Sequence, residues 1–172
     1  MSWRLDTEHW PGPDRNRWAI DRDVVVPSPD GQFACVLYSC GEIRISCEVG
    51  LLALLGGPPT APVVLCMPPN FTCFDFSPRP SAQWLADGRF VVVSAYLYRP
   101  ASNTIDLLAF TFLDTVNRAF AHHPTSLELV GKPFLEEDGE WRIRGSAYAI
   151  PNRWAVRVSP SKLSWRPWET LR

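Results

Sequence analysis

The chain has 172 residues, 46% of them hydrophobic and 20% charged, so it is long and apolar enough to bury the core of one ordinary globular domain. This composition excludes a chain that is disordered throughout. Its 17 basic and 18 acidic residues leave a formal charge of -1, without the single-sign excess that draws proteins to nucleic acid. We therefore predict one domain over residues 1–172 that does not bind nucleic acid directly.

The amino-terminal residues are charged and rich in proline, and they lack the apolar segment of a secretory signal. The longest apolar run, Val49 to Leu55, is interrupted by Gly50 and is far shorter than the roughly 20 residues that span a bilayer. We therefore expect a cytoplasmic protein that does not contact membranes. Residues 1–20 are predicted to form an irregular segment that tryptophans anchor to the domain.

Seventeen prolines and ten glycines divide the chain into short segments. Between them, apolar residues recur with a period of two more often than with the helical period of about 3.6. This pattern predicts a mainly β fold, an antiparallel meander of repeated hairpins with little helix.

An Asp-Gly pair and one polar residue precede an aromatic residue at three places in the chain. Asp-Gly favours a tight turn because glycine adopts a positive φ without steric cost. Each aromatic residue is therefore predicted to open a strand, and the two runs that follow it are predicted to form a hairpin. The three sequences are Asp30-Gly31-Gln32-Phe33, Asp87-Gly88-Arg89-Phe90 and Asp138-Gly139-Glu140-Trp141.

The segments Ser28 to Phe33 and Trp84 to Phe90 resemble the strand-opening turns of β-propeller blades. A closed propeller needs at least four blades, and this sequence has three such turns. The resemblance therefore implies a blade-like meander that forms a twisted sheet or sandwich rather than a closed propeller.

The clearest predicted strands are Phe90 to Tyr98, Ile105 to Leu113 and Trp154 to Ser159. In the last of these, apolar and polar residues alternate, as in an antiparallel sheet with one solvated face. Leu113 to His122 fits either one turn of helix, with Asp114 as its cap, or an extension of the preceding strand. Residues 160–172 are predicted to be a second irregular segment anchored by tryptophans.

Five cysteines are an odd number, and most of them lie in apolar stretches rather than in the loops that disulfide frameworks join. Their spacing matches no paired zinc-binding motif. We expect reduced core thiols, with an accidental or regulatory pair as the alternative. The cysteines are Cys35, Cys40, Cys47, Cys66 and Cys73.

The sequence has no recognisable catalytic motif. It contains neither a Gly-x-Ser-x-Gly elbow nor a glycine-rich phosphate loop. His122 and His123 are adjacent, so on a strand they point to opposite faces and do not share a metal ion. A polar turn before Pro124 explains the two histidines better. We predict no catalytic residue, no metal ion and no cofactor.

Glu42 and Glu48 would share one face with Arg44 if their segment were one regular strand. Two carboxylates near an arginine suit a hydrolase, whereas alternating charge is also typical of a solvated strand face. A second acidic cluster contains Glu136 and Glu137, and it requires either solvent or a basic partner.

Eight tryptophans, several of them beside an arginine, are typical either of chain termini that pack on a small sheet or of a protein interface. Tyr96 and Tyr98 share a face of one predicted strand, and Arg99 stands at its end. We combine these aromatic and charged positions into one predicted partner-binding set: Glu42, Arg44, Glu48, Tyr96, Tyr98, Arg99, Glu136, Glu137 and Trp141.

In overall character the sequence resembles the small cytoplasmic immunity proteins that bacteria make beside secreted antibacterial toxins, which are commonly β-rich. The resemblance implies a non-enzymatic protein that occludes the active site of a cognate toxin enzyme, with acidic residues against a basic rim. Two alternatives stay open. One is an accessory subunit, or a homodimer that joins open sheet edges. The other is a two-carboxylate hydrolase built on Glu42 and Glu48.

Overall fold

The computed structural model describes residues 3, 23–44, 47–66, 71–75, 82–85, 88–99, 104–124, 128–129, 134–135, 139–147 and 150–168. These residues form fourteen strands in two antiparallel sheets and one 3-10 helix, Pro160–Lys162, but no α-helix. The prediction of a mainly β, antiparallel fold with little helix is confirmed. No helix in this part of the chain is long and apolar enough to cross a lipid bilayer.

The larger sheet, which we call the first sheet, contains ten strands. They are β1 (Val24–Pro27), β2 (Phe33–Arg44), β3 (Cys47–Gly56), β4 (Val63–Cys66), β5 (Phe71–Asp75), β6 (Ala82–Trp84), β7 (Phe90–Arg99), β8 (Thr104–Asp114), β9 (Ala119–Pro124) and β14 (Arg166–Pro167). The second sheet contains β10 (Glu128–Leu129), β11 (Phe134–Leu135), β12 (Trp141–Ala147) and β13 (Ile150–Val158).

The first sheet runs in the order β1-β2-β3-β5-β7-β8-β9-β14, and it divides into two halves on either side of β5. The first residues of β3 pair with β5 and its last residues pair with β4. Likewise, β7 pairs with β6 near its start and with β5 near its end. The halves are therefore joined through β5 and separate from each other at β4 and β6. Within the described residues the sheet stays open and does not close into a propeller.

Buried side chains from both halves of the first sheet pack together between them. This inner core consists of Cys35, Leu37, Leu52, Leu54, Cys66, Ala82, Trp84, Val91, Val93, Leu113 and Phe120. A hydrogen bond also joins the halves, because the Trp84 indole Nε1–H donates to the Val26 carbonyl at 2.9 Å. The two halves thus form two facing layers, and the predicted twisted sheet or sandwich is confirmed.

Alternate residues of the same strands are buried on the outer sides of the two layers. On β7, Val91 faces the inner core while Val92 packs against the second sheet. On β2, Cys35 faces the inner core while Val36 packs with Trp3 from the amino-terminal segment. Successive side chains of a strand point to opposite faces of the sheet. Because both faces of these strands are buried, apolar residues are required at successive positions.

The three aromatic residues that follow an Asp-Gly pair are each the first residue of a strand, namely Phe33 of β2, Phe90 of β7 and Trp141 of β12. Their glycines have positive φ values of 71° at Gly31, 69° at Gly88 and 80° at Gly139. The local turn chemistry therefore places the start of three long strands.

The segment Leu113 to His122 is a hairpin rather than a helix. It consists of the last residues of β8, the turn at residues 115–118 and the first residues of β9. Asp114 acts as a cap, as predicted, but of this turn: its Oδ1 accepts the backbone N–H groups of Val116 and Asn117, each at 3.0 Å. A capping carboxylate accepts backbone N–H groups in the same way in a tight turn and at the start of a helix. The helical alternative was therefore wrong, and the strand alternative is closer to the observed hairpin.

Cys35 and Cys66 are free, buried thiols of the inner core. Burial raises the pKa of the Cys66 thiol to about 12, and burial and the nearby Cys66 raise the pKa of Cys35 further still. Both thiols are therefore protonated at neutral pH, as expected of core cysteines. The side chains of Cys40, Cys47 and Cys73 lie outside the described residues.

The two segments predicted to be irregular are described only in part. Of residues 1–20, the structure describes Trp3, which is buried against β2 and β3. Of residues 160–172 it describes 160–168, where Trp165 and Trp168 pack against the two layers. This second segment contains the 3-10 helix and β14, so it is more regular than we predicted.

An ion pair fixes the β8–β9 turn to the start of β7. The Arg89 guanidinium donates to both carboxylate oxygens of the buried Asp114, at 3.1 and 2.8 Å. Burial alone would raise the pKa of the Asp114 carboxyl, but hydrogen bonds from Arg89 and from the Asn117 backbone hold it below its usual value of 3.8. The folded protein therefore binds this proton less tightly than the unfolded chain does.

Replacing Asp114 by asparagine keeps the shape of the side chain and removes its charge. We expect Asp114→Asn to lower the free energy of unfolding by about 1–3 kcal/mol at neutral pH, because the charged hydrogen bonds from Arg89 are lost. The difference from wild type should shrink as the pH falls below about 4, where the carboxyl of the unfolded chain takes up its proton, and should be lost below the lowered pKa of the folded carboxyl. Urea unfolding as a function of pH measures both effects, and a difference that does not change with pH would contradict them.

Candidate functional site

The segment that carries Glu42, Arg44 and Glu48 is the end of the β2–β3 hairpin and not the single strand that we assumed. β2 ends at Arg44 and β3 begins at Cys47. The register pairs Glu42 directly with Glu48 across the two strands. The apolar runs of β2 and β3 pair with each other as antiparallel strands, and their side chains are buried on both faces of the sheet. We call Glu42 and Glu48 the glutamate pair.

Two carboxylates at directly opposite positions of an antiparallel pair are unfavourable in isolation. The Cα atoms of such partners lie about 4.5–5.5 Å apart, and like charges placed there destabilise a sheet. Arg44 is in register with Cys47 instead, and an irregularity of the ladder separates it from Glu42. The register therefore places two glutamates at directly opposite positions, an arrangement that a cationic partner group would stabilise.

Tyr96, Tyr98 and Arg99 lie on β7, between β5 and β8. Tyr96 is opposite Cys73 of β5, and Cys73 is opposite Val49 of β3. Val49 is the neighbour of Glu48 in sequence, so Tyr96 belongs to the row of residues next to that of the glutamate pair. Tyr98 is opposite Phe71 of β5, three rows from the glutamate pair. The sheet therefore does not bring the predicted tyrosines and glutamates into one row.

Trp141 lies in the core rather than on the exposed surface where we expected it. Its side chain is 1% exposed, and its ring stacks on Phe112 at 5.0 Å and meets Phe90 edge-on at 4.7 Å. The reason is that its strand packs face to face on the first sheet, which the local sequence around Trp141 does not indicate. Glu136 and Glu137 lie outside the described residues.

A second polar site was not predicted from the sequence: the pair formed by Thr111 of β8 and His122 of β9. The register places these residues directly opposite each other, and Thr111 Oγ1 lies 2.9 Å from His122 Nδ1. Thr111 is 1% exposed, and the other ring nitrogen, His122 Nε2, is buried with no hydrogen-bond partner among the described residues. A hydroxyl beside an imidazole is a nucleophile–base combination, but a buried hydroxyl of this kind does not meet a substrate.

The surroundings of His122 favour its neutral form. Burial lowers the pKa of the imidazole below its usual value of 6.5, and the positive charge of Arg166 on β14 lowers it further. Phe120 covers one edge of the ring, with the two ring centroids 5.5 Å apart. With a neutral imidazole, one proton lies between His122 Nδ1 and the Thr111 hydroxyl oxygen. The tautomer of the ring decides which of the two atoms is the donor.

His122 and His123 point to opposite faces of β9, as their adjacency predicted, since one is in register with Thr111 and the other with Phe110. They lie on a strand and not in the polar turn that we expected. Only the β8–β9 register reveals the partner of His122, because eleven residues separate it from Thr111. Sequence spacing alone offers no indication of this pair.

In the part of the chain that the structure describes, no three His, Cys, Asp or Glu side chains are grouped as metal ligands. Comparison of the chain with protein-family models, with curated proteins and with solved structures finds no match.

Removal of the Trp141 ring tests its place in the core. We expect Trp141→Ala to lower the free energy of unfolding by about 3–5 kcal/mol, because a large buried side chain leaves a cavity. Val116→Ala is the matched control, since Val116 is 68% exposed, and it should change stability by less than about 0.5 kcal/mol. Similar denaturant midpoints for both variants would contradict the burial of Trp141.

The hydrogen bond between Thr111 and His122 is tested by removing the hydroxyl and keeping the shape. Thr111→Val should lower the free energy of unfolding by about 1–3 kcal/mol, because His122 Nδ1 is then left buried without a partner. Thr111→Ser keeps the hydroxyl and should preserve the hydrogen bond, although it loses a buried methyl group. A His122 ring whose NMR chemical shifts are the same in Thr111→Val as in wild type would contradict the contact.

Proposed function

We propose that this chain is a non-enzymatic protein-binding module, an immunity protein that neutralises a toxin enzyme by occluding its active site. The observation that carries the proposal is the pairing of Glu42 with Glu48 in the β2–β3 register. Two negative charges held opposite each other by a paired backbone are suited to a basic partner surface, which relieves their mutual repulsion on binding.

The framework behind the glutamate pair supports this role. The same two strands that carry the pair contribute Cys35, Leu37, Leu52 and Leu54 to the inner core. Their ladder runs without a break in register from Phe33 and Gly56 to Ser39 and Gly50, and register shifts then lie on either side of the glutamate pair. The regular, buried part of the hairpin thus anchors the irregular end that carries the pair, and this anchoring limits the conformational entropy that the pair loses on binding.

The position of the pair in the sheet also suits a partner of this kind. Glu48 is in register with Phe74 of β5, so the acidic position has an aromatic residue as its neighbour on the next strand. Interfaces commonly combine aromatic anchors with charges that select the partner. On this proposal the protein works in the cytoplasm of the bacterium that makes the toxin.

The test is binding and protection against the product of the adjacent toxin-like gene. We expect the wild-type protein to bind that product and to inhibit its activity. Glu42→Gln and Glu48→Gln should each weaken binding by about tenfold or more, which corresponds to about 1.4 kcal/mol, because a charge contact to the basic rim is lost. Isothermal titration and a toxin activity assay measure the two effects.

Glu140→Gln is the matched control, since Glu140 precedes β12 of the second sheet and lies outside the proposed surface. It removes the same charge and should leave the affinity within about twofold of wild type. Equal losses in all three variants would show a general charge effect and would contradict a surface centred on the glutamate pair. A neighbouring gene for a metabolic enzyme, with no binding to its product, would contradict the immunity function.

The same register favours one second candidate, a two-carboxylate hydrolase. The register places two glutamates at directly opposite positions, and a pair of carboxylates is the equipment of general acid–base chemistry. Turnover that Glu42→Gln abolishes, with partner binding unchanged, would favour the hydrolase over the immunity protein.

A further inference from the structure

Residues 160–168 run from the second sheet to the edge of the first sheet, and we call this segment the strap. It leaves β13, forms the 3-10 helix Pro160–Lys162 and ends in β14, which pairs with β9. Trp165 packs between the sheets and donates its indole Nε1–H to the Pro160 carbonyl at 2.8 Å. Trp168 packs against the inner core, and its backbone N–H donates to the Arg118 carbonyl at 2.8 Å.

The strap is attached to β9 by a short ladder. Only Arg166 and Pro167 are in register with β9, opposite Phe120 and Ala119. Both residues of β14 are exposed, and proline has no N–H to donate to a ladder. A two-residue edge strand with one missing donor is the part of a sheet that separates first.

His122 lies two residues beyond Phe120, the residue of β9 that is in register with Arg166. Its ring contacts Thr111 of β8 and Phe120 of its own strand, and the positive charge of Arg166 of β14 acts on it. Within the described residues Arg166 is the one charged group that acts on the ring, and no carboxylate balances it. A proton added to His122 therefore creates a second positive charge beside Arg166. In the imidazolium both ring nitrogens are donors, and Nε2 then donates at a buried position where the described residues supply no acceptor.

We propose that His122 is a proton-controlled latch for the strap. While the imidazole is neutral, β14 stays paired with β9. When the imidazole takes up a proton from solvent, repulsion from Arg166 and the unsatisfied N–H drive β14 away, and the outer edge of β9 becomes free to pair with another strand. The strap responds rather than β8, because β8 is held on both edges and β14 is held on one. The latch does not depend on the proposed function.

Amide hydrogen exchange of the full chain, corrected for the intrinsic effect of pH, tests the latch. Between about pH 7.5 and about pH 5.5 we expect protection of the strap and of β9 to fall by roughly tenfold, while the inner strands β2 and β3 keep theirs. In His122→Gln, which stays neutral at both pH values, this loss should disappear. His123→Gln is the matched control on the opposite face of β9, and it should behave as wild type.

A second variant keeps the test decisive if His122→Gln does not fold. Arg166→Gln retains His122 and removes the repulsion, so it should shift the release of the strap to lower pH. Release that persists unchanged in His122→Gln or in Arg166→Gln would overturn the latch. Protection of the strap that stays constant between the two pH values in the wild-type protein would overturn it as well.

Discussion

The inner core holds the two halves of the first sheet against each other, and the other features of the molecule depend on that contact. Burying one valine or leucine side chain contributes about 1.5–3 kcal/mol, and both layers supply several. Because β5 joins the layers at one end only, the hydrogen bond from Trp84 to Val26 helps to hold them together at the other. The register of β8 with β9 at His122, and that of the buried parts of β2 and β3, is thereby held in place.

Two buried titratable groups of this framework illustrate one rule. A buried charge needs an opposite charge or hydrogen-bond donors beside it, and a buried group that lacks them stays neutral. Asp114 keeps its charge because Arg89 and the backbone of its own turn hydrogen-bond to both oxygens. His122 has a hydroxyl partner and a positive neighbour, so the neutral imidazole is favoured. One site therefore anchors a turn over the normal pH range, whereas the other is suited to respond to pH.

The glutamate pair differs from both of these sites. It places like charges at opposite positions of a ladder, with the arginine of the same hairpin end in register with Cys47. Such an arrangement costs stability in the free protein, and proteins commonly retain it where a partner recovers the cost. Our functional proposal follows from that conflict, whereas the latch follows from the strap, and the two sites lie on different halves of the first sheet.

The sequence by itself determined the β class, the strand starts after Asp-Gly, and the alternation of partly buried Val156, exposed Arg157 and buried Val158. These features depend on turn chemistry and on a period of two, which act between near neighbours. Only the tertiary structure decided the hairpin at Asp114, the pairing of Glu42 with Glu48, the contact of Thr111 with His122 and the burial of Trp141. Each of these is set by strand register or by the packing of one sheet on another, and both are chosen by the collective burial of apolar side chains that lie far apart in the chain.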